Sequence, residues 1–248
     1  MKSYIKLLRP THWVKNAIIF LPALCAGELF ANNNIVLCLI AFIAFSLMAS
    51  GVYAINVAKD YEADRLSESK KNRPVASGKI SVKSAWTTGI VLVVVSFAIQ
   101  AAMMFLFDPA VSAMLIVVGV IYFVLNLLYS VCGLKKVAVL ELFVLAIFYV
   151  LRLQFGAVAA GIEISYWLYM VVLTGAFYIG CGKRKAEMIK LNGNDGNSGR
   201  EVVKRYTVDF IDSAMTTGKT MCIIFYSLWC LKGSDGVQEL NAMVFTIP

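Results

Sequence analysis

The chain has 248 residues, 60% of them hydrophobic and 15% charged, with a formal net charge of +8 and a mean hydropathy of +0.75. Soluble domains are about one quarter charged, so this composition excludes an ordinary soluble enzyme and fits a polytopic membrane protein. The six cysteines form no C-x-x-C pair and no Cys/His spacing for zinc, and they read as small buried hydrophobes.

In chain order, Leu7 to Asn16 is short, basic and aromatic. Trp13 suits the headgroup level, Lys15 can snorkel, and His12, the only histidine, reads as an interfacial residue. A first span of about Ala17 to Phe30 follows, bent at Pro22. It runs too long, and too many spans follow, for it to be a cleaved signal peptide. The second span is about Ile35 to Ala58, ahead of a polar segment reaching Lys83. The third is about Trp86 to Phe107, closed by Asp108-Pro109, and the fourth about Val111 to Tyr129. The fifth is about Val137 to Gly161, the sixth about Tyr166 to Gly182, and the seventh about Ser213 to Leu231. Lys183 to about Asp212 is a polar segment in which Asn192 to Gly199 is expected to be a loop, and Ala242 to Pro248 is an apolar stub too short to cross.

Lys and Arg crowd the N-terminus and the segments after the second, fourth and sixth spans, and are missing after the first, third and fifth. The positive-inside rule therefore places the N-terminus and the long basic segments in the cytoplasm. The net positive charge is an orientation signal, with anion binding as a second use, and does not point to nucleic acid. No signal specifies an oligomeric state.

The polar groups that carry chemistry are all on that side. Asn56, Asp60 and Asp64 are spaced four apart, which on a continuous helix advances the side chains by about 40° per step and puts all three on one stripe with a rise of about 12 Å. Two carboxylates and an amide oxygen there make a hard-cation site; the alternative is a solvated helix end. Downstream lies Lys70-Lys71-Asn72-Arg73-Pro74, whose bases either neutralise phosphate oxygens or only orient the chain. After the sixth span stands Lys183-Arg184-Lys185-Ala186-Glu187, a basic counterpart to the acidic stripe. Arg152 lies in mid-span, where a charge must face a cavity or a partner, either an acidic residue or a ligand. Glu141 falls on roughly the same helix face, about three turns earlier. No phosphate-binding Gly-rich loop, Ser/His/Asp set or nucleotide-binding βαβ pattern is present.

The Asn56-x-x-x-Asp60-x-x-x-Asp64 stretch at the end of the second span resembles the first motif of the UbiA superfamily of intramembrane prenyltransferases. Arg9-Pro10-x-x-Trp13-Val14-Lys15-Asn16, Arg73-Pro74-x-Ala76-x-Gly78, Tyr129-Ser130, Leu151-Arg152 and the basic 183–185 stretch are similar to its decaprenyl-phosphate phosphoribosyltransferase branch. The likeness runs from Leu8 to the end of the chain. It implies an all-α transmembrane bundle, a single integral-membrane domain over residues 1–248. About seven spans are seen where the family has nine, so the last two family helices are expected to be missing.

The resemblance further implies Mg²⁺-dependent transfer of 5-phosphoribose from phosphoribosyl pyrophosphate to a polyprenyl phosphate, in a bacterial inner membrane with the active site cytoplasmic. Asn56, Asp60 and Asp64 would hold Mg²⁺, with the two aspartates catalytic. Lys71 and Arg73 would hold diphosphate oxygens. Lys15, Asn16, Arg152, Lys183 and Arg184 are candidates for the lipid phosphate or the ribose 5-phosphate. Two alternatives stand beside this: an aromatic prenyltransferase using a prenyl diphosphate, and a non-catalytic lipid-binding or transport protein. The branch often carries Asp where this chain has Val57, and restoring Asp there is expected to tighten Mg²⁺ dependence.

Overall fold

The computed structural model describes residues 2–67, 70–103, 109–131, 133–193 and 201–232. Among the described residues there are helices and no strands. In order they are α1 (Lys2–Leu8), a 3₁₀ segment (Pro10–Phe20), α2 (Leu21–Cys25), α3 (Asn34–Lys59), α4 (Tyr61–Leu66), α5 (Val82–Ala102), α6 (Pro109–Val131), a short 3₁₀ turn (Leu134–Lys136), α7 (Leu140–Ala160), α8 (Tyr166–Gly193), a second 3₁₀ turn (Glu201–Arg205) and α9 (Val208–Lys232). Among the described residues, α3, α5, most of α6 and α7 are both long and apolar enough to cross a bilayer. The sixth and seventh expected spans are present as α8 and α9, which have the length but are diluted by Tyr, Gly, Thr and Lys. The first expected span is not one α-helix. It is an 11-residue 3₁₀ stretch, unusually long for that geometry, turning α-helical only at Leu21.

The chain forms two compact units, residues 1–132 with 155–161, and residues 133–154 with 162–248. In the first unit α3 is the central helix, with 15 of its 26 residues buried. It lies against α5 so closely that a Cβ on Gly51 would stand 2.7 Å from the Gly89 carbonyl, and one on Gly89 would stand 2.7 Å from Ile55. Ser96 Oγ donates to the Ala44 carbonyl at 2.7 Å and ties the two helices further along. Val52, Ile55 and Val93 fill the seam, with Phe97, Phe123 and Leu127 around them.

The 3₁₀ segment is sewn to α3 by side chains. Trp13 Nε1 donates to Ser50 Oγ at 2.9 Å, Ser50 Oγ donates to the Leu8 carbonyl at 2.8 Å, and Asn16 Nδ2 donates to Ser46 Oγ at 2.9 Å. Arg9, at φ +50°, lays its guanidinium over the Tyr53 ring. Ser46, Ser50 and Tyr53 recur at helical spacing, so one face of α3 carries the irregular segment. Irregular backbone at membrane depth is tolerated only where protein covers it. At the other side of this segment Gly156 of α7 meets the Ile19 carbonyl, where a Cβ would come within 2.0 Å of the oxygen.

In the second unit α8 and α9 pack together. Leu142, Cys181, Met188, Val202, Val203, Tyr206 and Ile211 form its core. The helix α8 does not stop at Gly182, the expected end of the sixth span, but continues to Gly193, so Lys183 to Lys185 are helical.

The close approach at Gly156 gives a test. Gly156→Ala forces the Ile19 backbone to move and is expected to lower the thermal midpoint in detergent by roughly 5 °C or more. Gly175→Ala, whose Cβ would meet only Cys222 Sγ at 3.5 Å, is expected to change it by less than about 2 °C. Equal midpoints for the two variants would contradict this packing.

Candidate metal and diphosphate site

Asn56 lies in the last turn of α3, Asp60 at the junction with α4, and Asp64 in α4. The stripe is therefore not on one continuous helix. Asp60 takes φ −85°, ψ 9°, which closes α3 at Lys59. The hydrogen-bond ladder nevertheless runs through the break: Asp60 N–H donates to the Asn56 carbonyl and Asp64 N–H to the Asp60 carbonyl, each at 2.9 Å. Each residue is still one turn from the last, so the three remain on one side.

The segment after α4 is anchored by its apolar residues. Val75 and Ile80 pack with Leu7, Ala54, Val57, Ala58 and Ala85. Ser77 N–H donates to the Arg73 carbonyl at 2.8 Å and Ile80 N–H to the Pro74 carbonyl at 3.0 Å. Gly78, at φ +75°, makes the turn. This anchoring sets Arg73 beside Asp64: Arg73 Nη1 donates to Asp64 Oδ2 at 2.7 Å. Lys70 Nζ stands 3.8 Å from Asp64 Oδ1, and the Asp64 side chain is 3% exposed. Lys71, expected with Arg73 at a phosphate, is exposed on the same turn.

The residues fit a hard cation with help from a ligand. Asn56 Oδ1 is a buried acceptor with no hydrogen-bond partner among the described residues. Such an acceptor is costly unless something electropositive reaches it. Among the described residues no three His, Cys, Asp or Glu side chains are grouped to hold a metal by themselves. Mg²⁺ commonly takes one or two carboxylates and completes its shell with water and substrate phosphates, which is what this donor set permits.

Val57 points elsewhere. It is 2% exposed and belongs to the Val75 and Ile80 cluster rather than to the stripe. A carboxylate at that position would enter an apolar core, so the expected gain in metal dependence has no geometric basis here. Asn16, a candidate substrate ligand, is 2% exposed and spends its amide on Ser46. Lys15 is exposed, on the segment that α3 holds.

In the second unit, Arg184 is buried. Its Nε stands 2.6 Å from Glu141 Oε1, with the N–H not aimed at that oxygen, and its Nη1 donates to Glu187 Oε2 at 2.6 Å. Burial pulls the Arg184 guanidinium down, but the two carboxylates outweigh it and hold the group above its ordinary value. Tyr206 Oη lies 3.5 Å from Glu141 and accepts the Val139 N–H at 2.8 Å. Burial pushes the Tyr206 phenol up; the Val139 N–H partly opposes this and Glu141 reinforces it. Lys185 pairs with Asp212 at 2.5 Å. Lys183 is exposed and, of the three bases, is the one with no carboxylate partner among the described residues. Arg152 is 9% exposed, donates to the Phe148 carbonyl at 2.6 Å and lies near the Tyr149 ring.

Sequence spacing missed Lys70 as a neighbour of Asp64, Glu141 and Tyr206 as partners of the Arg184 region, and the Ser46–Ser50–Tyr53 face. A signal for the helical extension was present. Ala186, Glu187, Met188 and Leu191 are helix formers, and Arg184 and Glu187 are three apart.

Residues 17–182 match the UbiA prenyltransferase family. The chain belongs to that family and is an integral membrane protein. It is 35% identical over 227 residues to a decaprenyl-phosphate phosphoribosyltransferase of Corynebacterium glutamicum, covering 91% of this chain and 66% of that protein. It is 33% identical over 248 residues to the Mycobacterium tuberculosis protein of the same name, covering 98% of this chain and 78% of that one. This chain thus spans just under two thirds of the first relative and about three quarters of the second. A UbiA homologue from Archaeoglobus fulgidus, solved with DMAPP and Mg²⁺, shares the fold at a TM-score of 0.72 and 18% identity, over 98% of this chain and 81% of that one.

The placement of Val57 gives a second test. Val57→Asp is expected to destabilise the protein by about 3 kcal/mol, read as a lower melting temperature. A melting temperature equal to the parent's, with tighter Mg²⁺ dependence, would restore Val57 to the metal stripe.

Proposed function

We propose that this protein transfers 5-phosphoribose from phosphoribosyl pyrophosphate to a membrane polyprenyl phosphate, with the reaction at the cytoplasmic face. The observation that carries this reading is the 33% identity over 248 residues, 98% of the chain, to a decaprenyl-phosphate phosphoribosyltransferase. The site supports it with a buried carboxylate, two flanking cations and an orphaned amide oxygen. The distribution of Lys and Arg along the chain supports the cytoplasmic assignment.

On this reading Asn56, Asp60 and Asp64 hold Mg²⁺ on the diphosphate of the donor. The ion, when bound, neutralises the charge that develops on the leaving diphosphate. Arg73, Lys70 and Lys71 bind the phosphate oxygens that remain, Arg73 through its planar fork. A phosphate oxygen of the lipid attacks the anomeric carbon, a new C–O bond forms, and the bond to diphosphate breaks. That oxygen is already anionic, so no general base is required. Lys183 is exposed and supplies a cation for the acceptor phosphate or the ribose 5-phosphate, as do Lys15 and Arg152. Arg184, held by Glu141 and Glu187, fixes the turn of α8 from which Lys183 projects.

Membership of a prenyltransferase family keeps a second reading in view, transfer of a prenyl group from a prenyl diphosphate to an aromatic acceptor. In membranes offered either labelled donor, the parent protein is expected to label polyprenyl phosphate from phosphoribosyl pyrophosphate only. The double variant Asp60→Asn, Asp64→Asn is expected to lose at least about 10³-fold of that Mg²⁺-dependent rate. Retained transfer would remove the stripe from the mechanism, and labelling from the prenyl diphosphate instead would select the second reading.

A further inference from the structure

Asp64 is given a divalent cation to bind, yet each of its oxygens already faces a positive charge. Arg73 Nη1 is 2.7 Å from Oδ2 and Lys70 Nζ is 3.8 Å from Oδ1. The carboxylate is 3% exposed, whereas the Arg73 and Lys70 side chains are 32% and 40% exposed. We infer that Arg73 is an exchangeable stand-in cation on Asp64, which makes metal binding there conditional on the arrival of a diphosphate. The inference rests on the reading of Asp64 as a metal ligand.

A divalent ion entering beside Asp64 with Arg73 and Lys70 in place would crowd several positive charges around one buried carboxylate. Like charges at such separations repel strongly away from bulk water. A diphosphate changes the balance. It brings several negative charges and an array of oxygens that suit the guanidinium fork as well as a carboxylate does. Arg73 then exchanges one anion for another, and Asp64 is released to the metal.

The backbone around Arg73 is pinned while its side chain is not. Ser77 N–H holds the Arg73 carbonyl at 2.8 Å, and Val75 and Ile80, each 3% exposed, sit in the apolar cluster. The exchange is therefore a side-chain swing. Metal and diphosphate are coupled through it, and by linkage each raises the other's affinity by the same factor. The rival role for Arg73 is to orient Asp64 for the metal, and it predicts the opposite sign.

The test uses the full chain in detergent micelles, with Mn²⁺ binding read by electron paramagnetic resonance and ³²P-pyrophosphate retention read with and without Mn²⁺. The parent is expected to bind Mn²⁺ alone weakly. Arg73→Gln is expected to bind Mn²⁺ alone about fivefold or more tighter, and to lose roughly tenfold of its Mn²⁺-dependent pyrophosphate retention. Arg73→Lys keeps the charge and is expected to keep Mn²⁺ affinity within about twofold of the parent. Unchanged or weaker Mn²⁺ binding in folded Arg73→Gln overturns the inference. Asp64→Asn separates the two levels of argument. If it loses Mn²⁺ binding while Arg73→Gln gains none, only the exchange fails; if it binds Mn²⁺ like the parent, the metal reading of Asp64 fails as well.

Discussion

A carboxylate buried at the end of a membrane helix needs positive charge beside it, because the desolvation of an unpaired ion is prohibitive. Asp64 meets that condition with Arg73 and Lys70. The need explains the local architecture. The chain leaves α3 through the bend at Asp60, makes the short helix α4, and returns so that Val75 and Ile80 plug into the cluster around Val57 while Arg73 reaches the carboxylate. Remove the apolar anchor and the cation is no longer positioned; remove both cations with no metal in their place and the buried carboxylate is left without compensating charge. The long helix α3 is the rigid member of the arrangement. It is fixed to α5 by the Gly51–Gly89 contact and to the 3₁₀ segment by Ser46 and Ser50.

The second unit solves the same problem with both partners buried. Glu141 is fully buried and its partner Arg184 is 4% exposed in its side chain, so this pair is locked rather than exchangeable. Tyr206 braces it and also holds Val139, whose φ of +67° is costly for a β-branched residue. The contrast divides the cations by role. On the proposed reading Arg73 leaves its carboxylate for a ligand, whereas breaking the buried Arg184–Glu141 pair would cost about 3–5 kcal/mol. That is the physical reason the proposed reading offers exposed Lys183 to a ligand and leaves Arg184 an architectural role.

The helical membrane class was legible from composition and apolar run length, and the second to fifth spans fall where α3, α5, α6 and α7 are found. Those signals are local, and so is the four-residue spacing of Asn56, Asp60 and Asp64. What was not legible depends on contacts between distant parts of the chain. Glu141 and Arg184 are paired across 43 positions, and the register of two helices is not written in either one alone. The 3₁₀ course of residues 10–20 depends on hydroxyls of Ser46 and Ser50, which inside an apolar run look like minor interruptions. Val57 misled because it adjoins Asn56 in sequence, yet one step along a helix turns the side chain by about 100°, here away from the stripe and into the core. The extension of α8 through Lys183 is hidden in the sequence because the charges that follow Gly182 mark only the end of the apolar part of the helix, not of the helix itself.

The central claim is that the end of α3 and the helix after it hold a divalent metal together with a diphosphate. It is tested most directly by locating the ion: a structure determined with Mn²⁺ and phosphoribosyl pyrophosphate, with manganese identified by its anomalous scattering. The account predicts one or two manganese peaks at about 2.1 Å from oxygens of Asp60 and Asp64, with Asn56 Oδ1 oriented to the same ion and diphosphate oxygens completing the shell. A peak bound instead by Glu141 and Glu187, or diphosphate bound with the Arg73–Asp64 pair intact and no metal beside it, would contradict it.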